Sequence, residues 1–271
     1  MRRWVTYSLL FLPIYLLQGQ DIFKFSHIPV TGKENAVLVL CPGMNADGSP
    51  FLKEKPWIDF AQKHALGLIA INYTSDPKKM YGSEKQGYYW PEQGSGKALI
   101  NEIKHIYKKD LPILIYGFSG GAQFTGRFIE WAPERIVAWA AYSAQFWEKP
   151  TAKITKARGI VACGDLDGLR WQPSFSFFYS GRELGLSWIW LSRTETGHHR
   201  SGKLEDFVRL FFESEIKALR NLDDGAADAD IFADLATGNL LTQEEVEINP
   251  ALAVPFRTKE LYEAWKNIHA N

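Results

Sequence analysis

Cysteine and methionine are scarce in this chain, two and three residues of 271, and neither sign of charge prevails, with 31 basic residues against 31 acidic ones. Two cysteines, Cys41 and Cys163, are too few for a disulfide scaffold and show no metal-type spacing. A net charge of zero, without any dense Lys/Arg run, removes the electrostatic case for a nucleic-acid partner. Internal repeats and low-complexity tracts are also missing. What is present, 46% hydrophobic and 14% aromatic residues against 23% charged, excludes disorder, collagen and coiled coil and can bury a sizeable core.

A run long enough to span a bilayer is lacking too. The apolar stretch from Val5 to Leu17 contains Pro13 and falls short of the roughly 20 residues required. It follows Arg2 and Arg3 and ends near the small residue Gly19, which is the shape of a signal peptide over residues 1–19. The expectation is export, to the periplasm or outside the cell, with no membrane span after signal removal; a retained anchor is the alternative. Losing Arg2 and Arg3 would leave 29 basic residues (31 minus 2) beside 31 acidic ones. Cys41 and Cys163 end the apolar runs AVLVLC and GIVAC. In an exported chain they could pair, and at strand ends they also read as two buried thiols acting as small hydrophobes.

Short apolar runs alternate with longer amphipathic segments. The runs lie at 36–40, 67–72, 111–117, 136–143, 159–164 and 186–192, each rich in Val, Ile, Leu or aromatics, as expected of strands buried on both faces. Helix-like segments fall at 56–65, 96–109, 121–131, 173–184 and 203–219. This alternation predicts an α/β fold with a mostly parallel central sheet, helices on both faces and ligands at the carboxyl ends of the strands. The main domain is read as 20–220. Residues 221–271, opening with the small, acidic NLDDGAADAD, are read as an extension packed on it, since so short a piece could barely build its own core. Residues 74–95 form a long polar and aromatic loop, of the kind that is usually functional or mobile.

The strand LPILIY runs into Gly117-Phe118-Ser119-Gly120-Gly121, and a helix-like segment follows. This is G-x-S-x-G in a strand–turn–helix context. A serine on so tight a turn needs neighbours without side chains two before and two after it, so that strand and helix can approach. The chain thereby resembles the α/β-hydrolase superfamily, over roughly residues 30–219, with Gly117 to Gly121 as the nucleophile elbow.

That resemblance implies the order Ser, then Asp or Glu, then His. In IVACGDLDG the implied acid is Asp167, three residues after Gly164, with Asp165 as the alternative. A calcium loop is the rival reading for D-x-D-G, but its twelfth position is Ser176 rather than glutamate. In LSRTETGHHRSG the implied base is His198, with His199 as the alternative. The oxyanion hole would use the backbone N–H groups of Gly120 and Met44, the latter in Pro42-Gly43-Met44, where relatives commonly carry His-Gly-x. Asn45 and Asp47 would shape that turn or touch substrate.

The implied chemistry is acyl transfer through an acyl-enzyme, with no cofactor and no metal, on a small-molecule or polymer-borne ester. The serine argues against haloalkane dehalogenation, which uses a carboxylate at that position. Little chain lies between Ser143 and Ile160, so the lid is small or absent. Tyr88, Tyr89, Trp90, Phe118, Phe146, Trp147 and Trp171 are candidate walls of the site. Within the superfamily the chain looks most like the secreted feruloyl-esterase, polyhydroxybutyrate-depolymerase and dienelactone-hydrolase branch. Two alternatives stand beside it: a serine peptidase of prolyl-oligopeptidase type, and a non-catalytic binding protein on the same fold.

Overall fold

Six strands form where the six apolar runs lie, and they are mutually parallel. The computed structural model describes residues 22–154, 157–221 and 230–269; the expected signal peptide lies outside them. In chain order the main elements are β1 (Ile22–His27), β2 (Ala36–Cys41), α1 (Lys55–Lys63), β3 (Leu66–Thr74), α2 (Pro77–Tyr81), α3 (Ser95–Tyr107), β4 (Ile113–Phe118), α4 (Gly120–Trp131), β5 (Ile136–Tyr142), β6 (Arg158–Gly164), α5 (Gly168–Glu183), β7 (Trp188–Arg193) and α6 (Gly202–Asn221). The sheet order is β1-β3-β2-β4-β5-β6-β7. Only β1 runs antiparallel, pairing with β3 from Ile22 opposite Thr74 to His27 opposite Ile69.

Register separates the two faces. Tyr116 on β4 pairs with Leu40 on β2 and Ala140 on β5. Its ring meets Trp57 of α1 at 5.2 Å and its hydroxyl donates to Glu205 of α6 at 2.8 Å, so α1 and α6 cover one face. On the other face a Cβ on Gly117 would come within 2.2 Å of the Gly121 carbonyl of α4, and one on Gly181 of α5 within 2.2 Å of the Trp188 ring. Trp57, Tyr116, Phe124, Phe128, Trp139 and Trp188 are all fully buried between these layers, each removing on the order of 150–250 Å² from water.

The edge strand β1 was not anticipated. Phe23 and Phe25 turn inward onto Tyr73, at 4.7 and 5.4 Å between ring centroids, while Lys24 faces out. A strand covered on one side shows alternation instead of a solid apolar run. Helix α5 also departs from expectation, beginning at Gly168 and carrying Pro173 inside it. Proline removes the donor for the carbonyl four residues earlier; that carbonyl, on Leu169, accepts from Gln145 Nε2 at 3.4 Å.

Residues 74–95 hold α2, a 3₁₀ turn at Pro91–Gln93 and three buried aromatics, Tyr88, Tyr89 and Trp90. Between β5 and β6 a 3₁₀ turn, Ala152–Ile154, is the one regular element among the described residues, and no lid domain is inserted there.

Beyond α6, β8 (Ile231–Asp234), α7 (Gln243–Ile248), β9 (Ala253–Phe256) and α8 (Lys259–His269) follow. Strands β8 and β9 pair antiparallel. Trp265 of α8 is fully buried and donates from Nε1 to the Trp190 carbonyl at 2.8 Å. Arg182 of α5 donates to the carbonyls of Pro250 and Ala253. Burial, and next the charge of Arg158, pulls the Arg182 guanidinium down to about 10. No helix among the described residues is long and apolar enough to cross a membrane. Both cysteines are buried and free.

Candidate active site

Ser119 stands between β4 and α4 with φ 55° and ψ −117°, a conformation that L-residues rarely adopt. The turn closes because its flanking glycines leave room. A Cβ on Gly117 would strike the Gly121 carbonyl, and one on Gly121 would lie 2.1 Å from the Cys41 carbonyl of the neighbouring strand. The Ser119 N–H donates to the Tyr142 carbonyl at 2.8 Å, which ties the turn to β5.

His198 and Asp167 come to this serine from two loops at the same end of the sheet. His198 Nε2 lies 2.9 Å from Ser119 Oγ, and Nδ1 lies 2.7 Å from Asp167 Oδ2. The carboxylate can only accept, so Nδ1 carries the proton and Nε2 is left to receive the serine hydroxyl. Asp167 is only 4% exposed. Phe118 stacks on the imidazole, 5.1 Å between centroids and 24° between planes, and so acts on the histidine's orientation. Such a chain of contacts can take a proton from the serine as its oxygen attacks an electrophile.

Of the two alternatives, Asp165 is exposed and its Oδ1 accepts the Thr196 N–H at 3.1 Å, fastening the histidine loop. His199 is exposed as well, and the structure does not bring its ring into the relay; its carbonyl accepts from Tyr142 Oη at 2.8 Å. Burial raises the Tyr142 phenol, which keeps it a neutral donor. Burial likewise pushes the nearby Cys163 thiol up to about 11.

Gly120 begins α4, so its N–H has no acceptor within the helix. A Cβ on Gly120 would lie 2.5 Å from Met44 N, so the Gly120 and Met44 backbones approach each other closely beside Ser119. Among the described residues neither N–H meets an acceptor. Asn45, at φ 56°, holds the Met44 turn through a reciprocal pair with Ser75: Nδ2 donates to the Ser75 carbonyl and Oδ1 accepts the Ser75 N–H, both at 2.9 Å. Asp47 accepts from the N–H and hydroxyl of Ser49, ordinary turn chemistry.

The candidate walls divide. Trp147 is exposed and meets Tyr81, also exposed, at 5.4 Å and Tyr89 at 5.7 Å; the Tyr81 hydroxyl donates to Met44 Sδ at 3.4 Å. Tyr89 is buried and forms the back of this cluster. Trp90 is corrected to a core residue. It is 6% exposed, donates from Nε1 to the Met80 carbonyl and carries the Arg127 guanidinium over its ring at 3.5 Å. Tyr88 is fully buried and donates to the Pro42 carbonyl. Phe146 stacks on Phe177 at 3.9 Å. Trp171 stacks on Phe175 and donates to Ser192 Oγ at 3.2 Å, which makes both rings packing residues.

Three contributors escaped the sequence reading: Tyr81, Arg170, which donates to Asp167 Oδ1 at 3.1 Å, and Arg200. Two residues beyond His198, Arg200 joins Glu205 and Glu54 through four hydrogen bonds of 2.6–2.8 Å. Burial lowers the Arg200 pKa and the bonds to Glu54 and Glu205 more than reverse that, leaving the guanidinium firmly charged. An arginine three residues after a candidate acid at a helix start was a visible signal; the partners of Tyr81 and Arg200 lie far off in sequence.

No family model matches the chain, and no curated protein matches it in sequence. Solved structures similar to it include esterase PE8, with a TM-score of 0.51 and 16% identity over 70% of this chain and 98% of that one. The Pyrococcus furiosus esterase Pf2001 superposes with a TM-score of 0.51 and 14% identity over 73% and 90% of the two chains. A ferulic acid esterase gives 0.50 and 16% over 74% and 98%. The chain has the α/β-hydrolase fold.

Proposed function

We propose that this protein is a serine hydrolase that cleaves a carboxylic ester. The observation that carries the reading is the relay from Ser119 Oγ through His198 to the buried Asp167, at 2.9 and 2.7 Å. His198 takes the serine proton, Ser119 Oγ bonds to the carbonyl carbon, and the Gly120 and Met44 N–H groups receive the oxyanion. Collapse returns the proton to the departing alcohol. Water, deprotonated by His198, then releases the acid and restores the serine.

The esterases among the solved structures that share this fold support the class of reaction. The short β5–β6 connection suits a bulky or polymer-borne ester, and the shape of residues 1–19 suits export.

The test is a fluorophosphonate probe followed by intact-mass and peptide mapping, on the wild-type protein beside Ser119→Ala. A single adduct on Ser119 that the variant lacks is expected, together with ester turnover above background. A folded wild-type protein that takes no adduct would refute the reading and favour a binding protein. Cleavage of peptides in preference to esters would favour the peptidase alternative.

A further inference from the structure

Asp167 occupies the N-cap of α5, yet its side chain makes no cap hydrogen bond. An aspartate at that position ordinarily accepts a backbone N–H from the first turn. Here Oδ2 is committed to His198 Nδ1 at 2.7 Å, and Oδ1 accepts from Arg170 Nη1 at 3.1 Å. The carboxylate is 4% exposed, so water does not readily replace either contact. Among the described residues Arg170 is the one hydrogen-bond donor to Oδ1.

We infer that Arg170 is a positioning residue for the proposed hydrolase reaction: it clamps the free oxygen of Asp167 and so prevents the carboxylate from turning back to cap its own helix. The inference rests on the Ser119–His198–Asp167 reading above. Two arrangements compete for one carboxylate. In the first, Asp167 rotates about its χ angles and accepts N–H groups of α5, and the histidine loses its anchor. In the second, the guanidinium supplies the donor that the helix would otherwise provide, and Oδ2 stays directed at Nδ1.

Arg170 is itself held for the task. Its backbone N–H donates to the Asp167 carbonyl at 2.8 Å, which fixes the i,i+3 geometry of the first turn. The carbonyl of the preceding residue, Leu169, is taken by Gln145. The guanidinium is 26% exposed, so it loses less to desolvation than a buried arginine would. It touches neither the serine nor the oxyanion amides in any hydrogen bond, and its action passes through Asp167.

The experiment compares Arg170→Ala and Arg170→Lys with the wild-type protein. It measures the rate of fluorophosphonate labelling at Ser119, kcat and KM on a short p-nitrophenyl ester, and thermal unfolding. Misplacing a reacting group by about 1 Å can slow an enzyme by up to about 100-fold. Arg170→Ala is therefore expected to lose about 10- to 100-fold in kcat and in labelling rate with KM within about threefold. The lysine, which keeps a cationic donor, is expected to regain part of that loss at the same unfolding midpoint. Labelling and kcat of Arg170→Ala within twofold of the wild type would overturn the inference and leave the hydrolase reading intact. A loss shared equally by the lysine variant and matched by a fallen unfolding midpoint would also overturn it. A wild-type protein that takes no adduct would sink the hydrolase reading and this inference with it.

Discussion

Replacing Arg200 by methionine removes a guanidinium that four hydrogen bonds tie to Glu54 and Glu205. Glu205 is the partner that suffers, because its side chain is 7% exposed, whereas Glu54 is 33% exposed and can recover water. The Tyr116 hydroxyl still donates to Glu205, at 2.8 Å, but it is neutral and cannot balance the carboxylate. Breaking a buried ion pair from one side costs about 3–5 kcal/mol. Arg200 is 29% exposed, which puts the expected cost at the lower end, about 3 kcal/mol. The lost stacking of the guanidinium over Phe51, 4.1 Å away, adds about 0.5 kcal/mol. For a domain of this size each kcal/mol moves the midpoint by about 2–4 °C, so the total of about 3.5 kcal/mol should lower Tm by about 7–14 °C. Thermal unfolding of Arg200→Met, Glu205→Gln and the double variant supplies the cycle. The amide still accepts the Tyr116 hydroxyl without leaving a charge, so the double variant should be more stable than Arg200→Met alone. A drop of less than about 2 °C in Arg200→Met, or a double variant equal to the sum of the singles, would refute this account of the network.

The two neighbouring aspartates should separate cleanly in ester turnover: Asp167→Asn is expected to lose about 10³- to 10⁴-fold in kcat, while Asp165→Ala, whose single backbone contact lies at an exposed side chain, should stay within about fivefold. Stability should fall on acidification in two steps. Burial foremost lowers the pKa of His64, against the pull of Glu213, so the folded state binds fewer protons than the unfolded one and stability drops as pH falls below about 6.5, a drop that His64→Gln should flatten in a series of unfolding midpoints from pH 8 to 5. The Glu213 carboxyl is lowered to about 2, first by Lys217 and then by Lys63, so its contribution is present above about 4.5 and is lost as pH falls towards 2.

Contiguity in sequence decided which parts of this architecture could be read before the structure. Strands such as Val37 to Leu40 are buried on both faces, and their composition alone marks them. The Ser119 turn is equally local, since Gly117 and Gly121 do their work on atoms within a few residues or on the adjacent strand. Asp167 and His198 were placed by their order and by the strands that precede them, and geometry joins them to Ser119 across loops far apart in the chain. Where an outcome depended on a distant partner, the local signal misled. Trp90 sits in a stretch rich in Lys, Glu and Gln and reads as a loop aromatic, but Arg127 on α4 covers its ring and Met80 takes its N–H. Pro173 reads as the start of a helix, because nothing nearby shows that Gln145 will donate to the orphaned Leu169 carbonyl and let α5 begin five residues earlier. The same reasoning applies inside the candidate site. The three residues of the proposed relay follow strand ends and are marked by motif, whereas the contacts of Arg170 with Asp167 and of Arg200 with Glu205 follow from which buried oxygen still needs a donor, and the three-residue spacing of Asp167 and Arg170 becomes a signal only once α5 is seen to start at Gly168.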